Sequence, residues 1–182
     1  MTDARILPAR RAAAAALAGA IALAGAAGCG GDTGPSDYDK MMAGRKGASD
    51  VLTQAGAKVQ QKQYPVGLAW VVDLRGLNVT DDLLRRVKDL GNVAELDLGR
   101  STVTDGQLGL IKELGLQVLL TRLDLSQTGV TDAGLDRLDG FIFLANLDLT
   151  GTKVTRAAAD RLKQRVANDP KSRIKTVNVK MG

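Results

Sequence analysis

Histidine is absent from the 182-residue chain, and there is one cysteine, Cys29. The first absence removes the commonest metal ligand and the side chain best suited to acid–base work near neutral pH. A lone cysteine excludes a disulfide framework and a cysteine-based zinc site, since each needs several sulfurs at set spacings. Aromatic residues make up only 3% of the chain. A core must therefore be built from Leu, Val and Ala, which suits a thin repetitive fold better than an enzyme with a deep pocket. Also missing are a Gly-x-Ser-x-Gly elbow, a Gly-x-x-x-x-Gly-Lys phosphate loop and a His-Glu-x-x-His site. The expectation is a chain with no catalytic residue, no cofactor and no metal, and not an enzyme.

What is present is ordinary globular composition, 45% hydrophobic and 25% charged, enough for one domain with its own core. Formal charge is +5. From Lys153 to Gly182 nine Lys or Arg face two Asp, a net +7, which leaves residues 29–152 at −4, with 13 positive groups against 17 negative. The basic run Lys163, Arg165, Lys171, Arg173, Lys175 and Lys180 reads first as a solvated end. Anionic lipid is an alternative. Nucleic acid is not expected, because no stacking aromatics accompany the run.

Arg5, Arg10 and Arg11 precede an uncharged small-residue run from Ala12 to Ala27, the layout of an export signal. The run is mostly Ala, interrupted by Gly19 and Gly25, and is poorly suited to a permanent membrane helix of about 20 strongly apolar residues. Leu23-Ala24-Gly25-Ala26-Ala27-Gly28-Cys29 resembles the lipobox of bacterial lipoproteins, with Ala26 where that family usually has Leu. The resemblance implies a signal peptide over 1–28, lipidation of Cys29, and a protein anchored to a bacterial membrane on its periplasmic or outer side. An ordinary export signal with an incidental thiol is the alternative. Residues 29–36 read as a flexible tether of turn-forming residues.

The rest of the chain repeats. Val72-Asp73-Leu74, Leu96-Asp97-Leu98, Leu123-Asp124-Leu125, Leu147-Asp148-Leu149 and Val177-Asn178-Val179 have centres 24, 27, 24 and 30 residues apart. Val79-Thr80-Asp81, Val103-Thr104-Asp105, Val130-Thr131-Asp132 and Val154-Thr155-Arg156 follow the first four triplets at a fixed offset. Alternation in each triplet puts two apolar side chains on one face of a short strand and the Asp or Asn on the other. Each Thr stands where a helix N-cap belongs, and Asp81, Asp105 and Asp132 put a carboxylate in the positive first turn. Apolar residues then recur at helical spacing: Leu84 and Val87, Leu108 and Ile111, Leu135 and Leu138, Ala159 and Leu162. The pattern resembles leucine-rich repeats of the bacterial type that reads Leu-x-Leu, then Thr-x-Val-Thr-Asp and Gly-Leu. That resemblance implies an α/β solenoid with short parallel strands on the concave face and helices on the convex face. It places a cap over 37–65 and repeats with a C-terminal cap over 66–182. Within them, 37–55 is expected as a helix, 58–63 as a polar strand, 156–168 as a helix stopped by Pro170, and 174–180 as a last strand.

Strands stacked about 4.8 Å apart would align Asp73, Asp97, Asp124 and Asp148 with Asn178 in one row. Two carboxylates roughly 5 Å apart repel by about 3 kcal/mol at an effective dielectric of 20, so the row calls for counter-charge. Three sources fit: internal neutralisation by Arg75, Arg100, Arg122 and Lys180, a basic partner surface, or a bound cation. Glu95, Gln127 and Asn146 vary between units beside this row, as a recognition surface does. Tyr64 and Trp70 are either binding anchors or end plugs. The functional expectation is a non-catalytic module binding an unidentified protein or envelope component through the sheet face, with a self-associating structural lipoprotein as the alternative.

Overall fold

The computed structural model describes residues 35–65, 67–138, 141–168 and 176–178. The leader, Cys29, most of the tether, Pro170, Lys171, Arg173, Lys175 and Lys180 lie outside the described residues, as do both ends of the strand expected over 174–180. The chain is a mixed α/β structure. Its helices are α1 (Asp37–Gln54), α2 (Asp81–Asp89), α3 (Asp105–Glu113), α4 (Asp132–Leu135) and α5 (Arg156–Asn168). Its strands are β1 (Lys58–Tyr64), β2 (Gly67–Asp73), β3 (Val93–Asp97), β4 (Arg122–Asp124), β5 (Asn146–Asp148) and β6 (Thr176–Asn178). They form one sheet in chain order, β1 antiparallel to β2 and every later pair parallel.

Packing follows the apolar spacing. Leu96, Leu123 and Leu147 are in register on one sheet face and buried. Leu84, Val87, Leu108, Ile111, Leu135, Leu138, Ala159 and Leu162 join them from the helices in a single core. Polar side chains at equivalent turns close the spaces between. Ser101 and Thr128 are buried, and their hydroxyls donate to the carbonyls of Leu98 and Leu125 at 2.6 Å, with Thr152 doing the same to Leu149 at 2.7 Å. A buried hydroxyl bonded in this way escapes the cost of a lost water partner.

Two of the first-turn acids bond across to the next unit. Asp105 accepts from the Thr131 N–H at 2.9 Å and the Thr131 hydroxyl at 2.6 Å, and Asp132 accepts from the same groups of Thr155 at 2.6 and 2.8 Å. These carboxylates therefore tie successive units together as well as facing a helix dipole, and the Thr155 donors hold Asp132 below the usual carboxylate range. Gly134 sits hard against Asp105: a Cβ there would collide with the Asp105 carboxylate and the Val130 side chain. Earlier in the chain the tie is Thr102, whose Oγ1 accepts from the Val79 N–H and donates to Asn78 Oδ1, each at 3.0 Å.

The structure departs from the sequence pattern at Ser36 and in the helix of the third unit. Ser36 is no part of a leash: it is the N-cap of α1, bonded reciprocally with Asp39 in a capping box. The third unit, expected to hold a full helix, has only four α-helical residues before a 3₁₀ turn over Asp136–Leu138. A glycine at the third helical position weakens that helix by about 1 kcal/mol relative to alanine.

Candidate binding face

The sheet face opposite the core carries two aligned rows. Glu95, Arg122, Asn146 and Thr176 are in register in one, and Asp73, Asp97, Asp124, Asp148 and Asn178 in the other. The described strand positions expected on this face are therefore brought together, while Lys180 lies outside the described residues. Arg75, Arg100 and Gln127 follow in the turns at the carboxyl ends of their strands.

Each aspartate of the ladder is first a turn residue. Its Oδ1 accepts from the N–H two residues on: Arg75 to Asp73 at 3.0 Å, Gly99 to Asp97 at 3.1 Å, Ser126 to Asp124 and Thr150 to Asp148 at 2.9 Å. The next residue turns left-handed in all four units: Gly76 at φ 71°, Arg100 at 59°, Gln127 at 56° and Gly151 at 68°. Glycine takes that conformation freely, whereas a side chain there costs about 1–2 kcal/mol. The N–H groups of Gly76, Arg100 and Gln127 then reach the following unit, at Gly99, Ser126 and Thr150 carbonyls, 2.7–3.0 Å away.

Counter-charge comes partly from within. The Arg75 guanidinium bridges Asp73 at 2.8 Å and Asp97 at 3.2 Å. Its hydrogen bond holds the Asp73 carboxyl below the usual range. Asp97 goes the other way: burial, then the neighbouring Asp124, push it up against the bond from Gly99. Arg100 and Arg122 form no salt bridge among the described residues.

The edge strand β1 adds Lys62, which the sequence did not single out, and Tyr64, expected as a binding anchor or an end plug. Antiparallel pairing with β2 carries Lys62 and Tyr64 to Glu95. The Tyr64 hydroxyl donates a short hydrogen bond to Glu95 Oε1, and Lys62 Nζ lies 3.2 Å from the same oxygen and 5.5 Å from the Tyr64 ring centre. Burial raises the Tyr64 phenol, reinforced by Glu95, so it stays protonated. Burial also pushes Glu95 up, but the Tyr64 and Lys62 donors outweigh it and leave the carboxyl below its ordinary value. Trp70 packs partly buried against the core. The polar alternation of 58–63 signalled a strand, while its pairing partner was beyond local pattern.

At the carboxyl ends of β2–β4 the face opens into a cleft of about 490 Å³ lined by Lys58, Asp73, Arg75, Arg100, Asp124 and Ser126, with glycines between them. Among the described residues no three His, Cys, Asp or Glu gather into a group able to hold a metal, and no helix is long and apolar enough to cross a membrane. The face can form hydrogen bonds and ion pairs over a line of side chains. No family model matches the chain, and no curated protein matches it.

Proposed function

We propose that the chain is a leucine-rich-repeat solenoid, exported and lipid-anchored at Cys29 in a bacterial envelope, that works as a non-catalytic binding module through its sheet face. The observation that carries the repeat and binding-face reading is the in-register stacking of strands whose buried leucines and left-handed turns recur from unit to unit, while the leader and Cys29 support the export and anchor. The stacking repeats the core side of each strand and varies the solvent side: Glu95, Arg122 and Asn146 occupy one row, and Gly76, Arg100, Gln127 and Gly151 one turn position. A repeated frame with changing polar side chains offers an extended recognition surface at constant backbone geometry.

A photo-crosslinking residue at Gln127 or Asn146, compared with one at Arg85 on the helix layer, tests the assignment in cells. Cross-links to another protein or envelope polymer are expected from the two face positions only. Equal yield from Arg85 overturns it. The second reading, a self-associating envelope lipoprotein, is favoured by one feature: Val118 and Leu119 before β4, and Ile142 and Phe143 before β5, are exposed large apolar residues at equivalent places. Sedimentation at rising concentration separates the two, since a docking module stays monomeric and a self-associating one grows.

A further inference from the structure

The charges on the face are sorted by depth. Five carboxylates (Asp73, Glu95, Asp97, Asp124, Asp148) share the surface with five cations (Lys58, Lys62, Arg75, Arg100, Arg122), so its formal sum is zero. The carboxylates lie low: the Asp73, Glu95 and Asp97 side chains are 20–23% exposed, while Lys62 and Arg75, which pair with them, are 59% and 57% exposed. Asp124 and Asp148 are half-buried under turn N–H donors, whereas Lys58, Arg100 and Arg122 are exposed. A partner approaching the sheet meets ammonium and guanidinium groups before any carboxylate. Side-chain length produces this inversion: an aspartate held back by its own turn cannot reach as far as an arginine or lysine.

Arg100 adds a second, independent mark. It occupies the left-handed turn position that glycine fills in two sister units, lines the cleft and forms no salt bridge among the described residues. The backbone does not require a side chain there, so the strain accompanies an exposed guanidinium facing the opening.

We propose that the cleft and the adjoining sheet face dock an acidic segment of a partner protein, whose carboxylates are taken by Arg100, Lys58 and Arg122. This rests on the binding-face reading and reverses the polarity that the aspartate row suggests in the sequence. Guanidinium forks match carboxylates in two-point geometry. The low Asp124 and Asp148 oxygens repel a uniformly charged polyanion but suit a peptide whose own N–H donors lie between its carboxylates.

The test is amide NMR of the full chain in detergent micelles, titrated with an alternating Glu-Ser hexapeptide, its Lys-Ser counterpart and inorganic polyphosphate. The expected result is perturbation of Gly76, Gly99, Arg100 and Ser126 by the acidic peptide, weakening with salt. Arg100→Gly, which keeps the turn, should weaken it about tenfold, and Arg122→Gln should also weaken it. Perturbation of the same amides by the basic peptide overturns the inference while leaving the face as a docking surface. Stronger binding of polyphosphate overturns the protein-segment assignment. Silence with all three overturns both the inference and the binding-face reading.

Discussion

The amino-terminal and carboxyl-terminal halves of the sheet solve one stacking problem with different side chains. In the first half the strands are seven and five residues long, and the face is laced by Arg75 with Asp73 and Asp97 and by Lys62 and Tyr64 with Glu95. In the second half both β4 and β5 have three residues. There the links lie on the helix side, as Asp105 with Thr131 and Asp132 with Thr155, and the loops before the strands expose apolar side chains. Stacking thus depends on the shared leucines, while the polar ties differ between the halves: Thr102 with Val79 and Asn78 joins the face ion pairs in the first, and Asp–Thr pairs take over in the second.

Breaking the shared part should cost most. Leu123 is fully buried at the centre of the ladder, and Leu123→Ala is expected to lose about 2–5 kcal/mol in urea unfolding. A loss under about 1 kcal/mol would mean that the two halves do not share one core.

The helix-side ties come next. Asp105→Ala removes two inter-unit hydrogen bonds to a carboxylate and should cost about 1–3 kcal/mol, clearly more than Asp81→Ala, whose carboxylate makes no such bond among the described residues. Gly134→Ala should destabilise by a similar amount by displacing Asp105. Equal melting temperatures for the Asp105 and Asp81 variants would dissolve the contrast between the halves.

Acid should sharpen it further. Asp73 and Asp132 titrate below the ordinary value, so their stabilisation is present above the unfolded pKa and is lost as pH falls through the lower folded one. Asp97 has the opposite sign. Its folded pKa is raised, so it opposes folding at neutral pH and ceases to do so as it protonates. Carboxyl carbon-13 NMR should show Asp97 protonating first on acidification, with Asp73 and Asp132 later. Coincident titration of Asp97 and Asp73 would mean that Arg75 serves both equally.

The smallest expected effect is a gain. Arg100→Gly and Gln127→Gly relieve a left-handed side chain at some entropic cost, for a net of up to about 1 kcal/mol each. Differential scanning calorimetry should show a higher Tm, and a lower one would show that these side chains hold the turn.

Much of this was legible early because burial follows local periodicity. Leu108 and Ile111 read as one helical stripe and are buried as one, and Thr80 reads as an N-cap and accepts from the Leu83 N–H. The Asp row was legible as a row, but its behaviour was not. Whether an aspartate faces a partner or its own turn depends on backbone bonds two residues away and on which cation reaches it. Lys62, Tyr64 and Glu95 are 31 or more residues apart in the Glu95 pairings, and only the antiparallel register of β1 unites them.

The sequence by itself determined the unit: where its strands, caps and buried leucines fall, because apolar spacing and capping chemistry act within a few residues. Only the tertiary structure decided which charges stand outermost on the face and which acids tie neighbours together. Those outcomes depend on side-chain reach and on groups that stacking alone brings within hydrogen-bond distance.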